Sequence, residues 1–140
     1  MKNIKILLVT AIIAAFSLTS CNKDDNNSTP STSLVGKWNY SKEGTVVNGQ
    51  EVLIDYTDNE TGCSKDYVQF TATNTFSDID YDSSEAPCEM FTTTGTYSKS
   101  GSTVTLTSGG FTVSGTILNL TATELKVKDT QGNITVYTKA

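Results

Sequence analysis

Val104-Thr-Leu-Thr-Ser-Gly-Gly-Phe-Thr-Val-Ser114 holds the pattern that decides the fold. Apolar and polar residues alternate on both sides of a Gly-Gly pair. Side chains of an extended chain point alternately to two faces, so each arm reads as a half-buried strand and Gly109-Gly110 as the turn between them. The same period of two returns in Leu125-Lys-Val-Lys128 and Ile134-Thr-Val-Tyr137. Thr, Val, Ile, Tyr and Phe dominate these runs, and such side chains suit a pleated surface. Turn signals recur at Asn48-Gly49, Lys99-Ser-Gly-Ser102 and Gln131-Gly-Asn133.

Outward from this hairpin, strands are expected over 34–42, 44–47, 50–56, 65–71, 74–81, 91–98, 103–107, 111–119, 123–128 and 133–139. No stretch of the mature chain has a convincing helical period. Short links favour antiparallel pairing of neighbours, which makes the domain all-β. A meander of about eight to ten strands closes most economically into an up-and-down barrel, because closure removes exposed edges. An open sandwich is the other architecture compatible with the spacing.

The amino-terminal end reads differently. Met1-Lys-Asn-Ile-Lys5 is basic and Ile6–Phe16 is an apolar run, too short for a bilayer span of about 20 residues but suited to a secretory signal. Leu18-Thr-Ser-Cys21 resembles the bacterial lipobox, which implies cleavage before Cys21 and lipidation of its thiol. Several acyl chains hold a protein firmly in a membrane, since each buried methylene contributes about 0.8 kcal/mol. The expected organisation is a signal peptide over 1–20, lipidated Cys21 with a flexible tether over 21–33, and one domain over 34–140. The tether, Asn22–Ser33, carries no large apolar side chain. Asn22-Lys23-Asp24-Asp25 resembles the Lys-plus-acidic export signal of Bacteroidetes lipoproteins, which implies an outer-membrane protein facing the exterior.

After cleavage, eight lysines stand against fifteen acidic residues, with no arginine or histidine. Such a chain is a poor partner for nucleic acid, because phosphate binding needs clustered cations. It also lacks the commonest general base and metal ligand. With Cys21 assigned to the anchor, Cys63 and Cys88 form an even pair in an exported chain, and one disulfide is expected. It would contribute about 3 kcal/mol by restricting the unfolded chain. Two free thiols, as nucleophile or metal ligands, are the alternative, although neither has a neighbouring histidine or a Cys-x-x-Cys partner.

A series of motifs carries a family resemblance: Leu34-Val-Gly-Lys-Trp38, Cys63-Ser-Lys-Asp-Tyr-Val-Gln-Phe70, Asn74-Thr-Phe76, Cys88, Gly95-Thr-Tyr97, Val104-Thr-Leu106, Leu120–Leu125 and Tyr137. Together they resemble the lipocalin-like domain of Bacteroidetes lipoproteins over essentially all of 34–140. Gly36-x-Trp38 is also similar to the element that plugs one end of the barrel in classical lipocalins. The arginine that packs over that tryptophan has no expected counterpart here. The resemblance implies a barrel whose mouth holds a small apolar or amphipathic ligand. The alternative is a filled barrel acting as a structural or interaction module that contacts glycans or an outer-membrane protein.

Asp78-Ile-Asp-Tyr-Asp82 puts three carboxylates on one strand face, making Asp78, Asp80 and Asp82 weak candidates for a hard cation. The segment through Glu89 brushes an EF-hand loop, but Ser83 and Glu85 occupy positions that need glycine and an apolar residue. A solvated acidic strand end held by the disulfide is the simpler expectation. No nucleophile elbow, catalytic triad or phosphate-cradling loop occurs. The chain therefore reads as a non-enzyme without cofactor. Trp38, Tyr40, Tyr56, Tyr67, Phe70, Phe76, Phe91 and Phe111 are aromatic candidates for the pocket, though each fits a core role more readily.

Overall fold

The computed structural model describes residues 32–84 and 87–140. The signal segment, Cys21 and the first part of the tether lie outside the described residues, as does Glu85. Nine strands form among the described residues: β1 (Gly36–Val47), β2 (Gln50–Asp55), β3 (Tyr67–Phe70), β4 (Thr75–Asp82), β5 (Glu89–Ser100), β6 (Thr103–Ser108), β7 (Phe111–Leu120), β8 (Glu124–Asp129) and β9 (Asn133–Lys139). The expected arms 34–42 and 44–47 are one strand, because β1 passes through a bulge between Tyr40 and Lys42 without losing β9 as partner.

All pairings are antiparallel. Strands β3 to β9 pair in sequence order, and β1 joins β3 on one edge and β9 on the other, so eight strands close a meander barrel. The ninth, β2, hydrogen-bonds to the far half of β1 through a turn at Asn48-Gly49, where both residues have positive φ. That backbone suits a tight hairpin and favours Asn-Gly.

Residues opposite each other in a ladder share a face, so the registers trace the barrel lining. One row runs Trp38, Val68, Asp78, Thr93. A second runs Tyr97, Leu106, Val113, and a third Ile117, Val127, Thr135, Glu43. The end holding Leu34, Trp38, Val68, Phe70, Phe76, Tyr97, Val104 and Leu125 is packed solid. Phe70 meets Tyr97 edge-on at 4.9 Å between centroids, an arrangement that aromatic quadrupoles favour. Here the barrel is plugged. Trp38 is fully buried and its indole N–H donates to the Leu34 carbonyl at 2.7 Å.

The expectation that nothing would replace the missing arginine over this tryptophan is corrected by Lys139. Its Nζ lies 4.1 Å from the centre of the Trp38 ring and donates to the Val35 carbonyl at 2.8 Å. A lysine from the last strand caps the plug because the register pairs it with Trp38. Gly36 leaves the room, since a Cβ there would run into the Lys139 side chain.

At the other end, the β1–β2 hairpin folds back over the outer surface. Lys126, on the outer face of β8, reaches Glu51 Oε2 at 2.6 Å. Ile134 and Val136 share that outer face yet are 0% and 5% exposed. Gly44 permits the fold, because a Cβ at this position would collide with the Val52 carbonyl.

Candidate functional site at the open end of the barrel

The lining changes character away from the plug. Phe91, Phe111 and Val113 lie on the inward face by register, yet they are 49%, 82% and 62% exposed. Large apolar side chains left exposed on one sheet face are candidates for a binding surface. Val47, Val52 and Ile54 continue the same sheet face onto the hairpin and are also exposed. Below Val113, a cleft of 150 Å³ descends between Val104, Leu106, Val127, Thr135 and Tyr137, with Asp129 at its edge.

One wall is polar and aromatic. Tyr40 stacks on Tyr56 at 4.6 Å between centroids and leans on Tyr137 at 4.7 Å. The Tyr40 hydroxyl donates to Asp78 Oδ1 at 3.0 Å. Burial, together with Tyr137 and Asp78 nearby, pushes the Tyr40 phenol far above its ordinary value, so it stays a donor. Burial likewise raises Tyr137 to about 12. Asp78 is raised by burial, against the opposing effect of the Tyr40 hydrogen bond.

The three carboxylates of β4 do share a face, as the alternation requires, and that face lines the barrel. The expectation of a solvated strand end is corrected for Asp78, which is half-buried and held by Tyr40. It holds for Asp80, which is exposed, while an Asp82 oxygen caps the turn by accepting the Ser84 N–H at 2.7 Å, which lowers the Asp82 pKa. Among the described residues, no three His, Cys, Asp or Glu side chains converge as metal ligands.

Asp66 was not legible as a site residue. It precedes β3 and continues its register, its carbonyl accepting the Tyr40 N–H at 3.0 Å. Its Oδ1 accepts the Tyr81 N–H at 2.8 Å, where the β3–β4 pairing has already stopped. Its own N–H donates to Asn59 Oδ1 at 2.9 Å, and Asn59 Nδ2 donates to the Tyr40 carbonyl at 3.0 Å. Asp66 is only 1% exposed, and its Oδ2 has no hydrogen-bond partner among the described residues. Burial raises its pKa, partly offset by the Tyr81 N–H. The segment 56–66 thus fills the space beside β1 that β2 and β3 leave between them. The expected Cys63–Cys88 disulfide is present, with Cα atoms 5.8 Å apart, and ties this segment to the β4–β5 connection.

The aromatic candidates divide by position. Trp38, Phe70 and Phe76 belong to the plug. Tyr67 points outward beneath Lys37, whose Nζ is 3.7 Å from the ring centre. Tyr40 and Tyr56 form the polar wall, and Phe91 and Phe111 form the rim.

The family profile described as a lipocalin-like domain matches residues 34–127. Two solved structures are similar in fold. A lipocalin-like protein from Bacteroides uniformis has a TM-score of 0.56 at 15% identity, covering 76% of this chain and 98% of its own. An uncharacterized protein from Bacteroides eggerthii also has a TM-score of 0.56, at 12% identity, covering 77% of this chain and 100% of its own. No curated protein matches the chain. With more than half of its residues under the family profile and a closed eight-stranded meander to match, the chain belongs to the lipocalin-like domain family.

Proposed function

We propose that the protein binds a small apolar or amphipathic molecule at the open end of its barrel and does no chemistry on it. The observation that carries this reading is the exposed, inward-facing set Phe91, Phe111 and Val113 above a 150 Å³ cleft. Eight-stranded barrels are just wide enough to fill with side chains or to hold one small ligand. Here the plugged half is filled and the other half is open. Pockets that engulf drug-sized ligands measure about 300–1,000 Å³, so the occupant enters the cleft in part and lies across the rim. Native mass spectrometry of the purified protein tests this. A co-purifying small molecule, displaced by a fluorescent alkyl probe, is the expected outcome; a bare mass with no saturable probe binding would sink the proposal.

A second reading rests on Val47, Val52 and Ile54, exposed on the hairpin beyond the cleft. They suit a flat contact with an outer-membrane protein or a glycan. Retained probe binding after these three are changed to threonine assigns the ligand to the cleft and not to the hairpin.

The location we propose is the outer membrane, through lipidated Cys21, with the barrel facing the exterior. Leu18-Thr-Ser-Cys21 and Lys23-Asp24-Asp25 support it. Cys21→Ala should release the protein from membranes, and protease added to intact cells should cleave the wild type. Protection until lysis would contradict the outward orientation.

A further inference from the structure

The two ends of the barrel are unlike, and the chain enters at the plugged one. Leu34 is buried with Trp38, and the Val35 carbonyl accepts the Lys139 ammonium at 2.8 Å, so the route back to Cys21 starts from that end. Residues 22–33 lie between the proposed anchor and this point. A chain of that length reaches about 40 Å at full stretch. The ten-residue strand β7 is about 33 Å long, so tether length alone lets either end of the barrel face a bilayer.

Charge decides between them. The connections at the plug end are Thr71–Asn74, Gly101-Ser102 and Thr121–Thr123, and none of them carries an acidic side chain. Lys37, Lys99 and Lys139 stand on the strands that end there, with Lys37 and Lys99 exposed. Glu124 is the acidic residue beside these connections, and its Oε1 already accepts the Asn119 amide at 2.7 Å. A terminal carboxylate at Ala140 would still leave the balance positive. The mouth is the reverse. Asp58, Glu60, Asp82, Glu89 and Asp129 lie in or beside its connections. Of the lysines in that half, Lys42 and Lys126 are paired with Asp55 and Glu51, which leaves Lys65 and Lys128 against the set. The exposed Phe111 and Val113 could enter a bilayer only by bringing Asp129 and Glu89 toward its headgroups.

We propose that the plug end docks on the anionic headgroups of the leaflet that holds the lipid anchor, so that the barrel stands with its mouth away from the bilayer. A charged surface acts on lysines and carboxylates over about one Debye length, 8–10 Å at moderate salt. The barrel is longer than that, so the nearer end sets the orientation. This rests on the proposed Cys21 anchor and adds which way the domain faces on it. A ligand of the cleft then arrives from the aqueous side.

The test uses the mature protein purified from membranes and reconstituted in vesicles of phosphatidylcholine and phosphatidylglycerol that carry a nitroxide-headgroup lipid. A fluorophore is attached at Ala122→Cys, in the exposed turn before β8, or at Thr130→Cys, in the exposed turn after it. The strand separates the two sites by about 20 Å. That is about two Debye lengths, so the Ala122→Cys label should be quenched about threefold or more strongly than the Thr130→Cys label. The difference should shrink in phosphatidylcholine alone, at high salt, and when Lys37→Gln and Lys99→Gln are added. Equal quenching, or the reverse order, overturns the orientation and leaves the anchor in place. A difference indifferent to lipid charge and salt overturns the electrostatic docking. Protein that does not stay with the vesicles overturns the Cys21 anchor, and this inference with it.

Discussion

Lys139 and Trp38 form one unit, with the ammonium 4.1 Å from the ring centre and also bonded to the Val35 carbonyl. The pair joins the last strand to the first where the barrel is plugged, and the segment before β1 is held by the same lysine. Cation–π contacts contribute about 0.5–2 kcal/mol depending on desolvation. Lys139→Met keeps most of the stem and removes the charge, so urea unfolding should show a loss of about 1 kcal/mol. Lys139→Arg should retain most of the stability. Trp38→Ala should cost about 3–5 kcal/mol, because it empties the centre of the plug. Unchanged stability in Lys139→Met would show that the lysine is a bystander.

The disulfide predicts a local weakness as well as a global one. Cys63 and Cys88 close a loop with a sequence separation of 25. Replacing both with serine should cost about 3 kcal/mol on the chain-entropy account. The loss should be accompanied by faster hydrogen exchange in 56–66, since the bridge ties that segment to the β4–β5 connection. Uniform exchange across the barrel would contradict this placement.

Gly44 should tolerate no side chain. Its Cβ would meet the Val52 carbonyl, and backbone cannot swing aside as a side-chain tip can. Gly44→Ala should destabilise the protein by about 1–3 kcal/mol, the usual range for overpacking. Limited proteolysis should then cut the hairpin first, because Ile134 and Val136 lose their cover. A wild-type cleavage pattern would show that the hairpin does not depend on this close approach.

Buried carboxylates set a pH signature. Asp66 and Asp78 have raised folded-state values, chiefly through burial. Asp66 faces Asp58, Asp78 and Asp80, and Asp78 faces Asp80 and the Tyr40 hydroxyl. A carboxyl raised on folding favours the folded state most when protonated. Its contribution is therefore full below the unfolded value of about 3.9 and is lost as pH rises through the folded value. Asp66→Asn should consequently have a higher melting temperature than wild type at pH 7, with the difference vanishing near pH 3. Asp82 and Asp129, lowered by hydrogen bonds to their turns, act in the opposite direction in both proteins and cancel in the comparison. A difference that grows toward acid pH would reverse the assignment.

How much of this was legible in the sequence depends on range. Alternation in Val104–Ser114 is a local property, so strands and turns could be read directly, and links too short to hold a helix pointed to a meander. The plug was legible at Trp38 through Gly36-x-Trp38, but its partner was not. Lys139 is remote from Trp38 in the chain and becomes its neighbour only through the β1–β9 register. The merging of two expected strands into β1 was hidden because a bulge at Tyr40/Lys42 interrupts the alternation without interrupting the strand. Asp78, Asp80 and Asp82 were visible as one face, but which side of the sheet they occupied required the whole ring. Asp66 gave no signal, since its importance comes from Tyr40, Asn59 and Tyr81 meeting it in space. Phe91 and Phe111 looked like core because alternation reports the face of a residue and not its depth along the barrel axis.

The central claim is that the exposed inward side chains at the open end hold a ligand. Titrating a fluorescent naphthylamine dye into wild type and into Val113→Asp tests it most directly, because Val113 borders the cleft and is already exposed, so the barrel loses little core packing. Saturable enhancement in wild type, weakened at least tenfold in the variant, is the predicted result. Equal enhancement in both proteins, or none in wild type, would contradict the account.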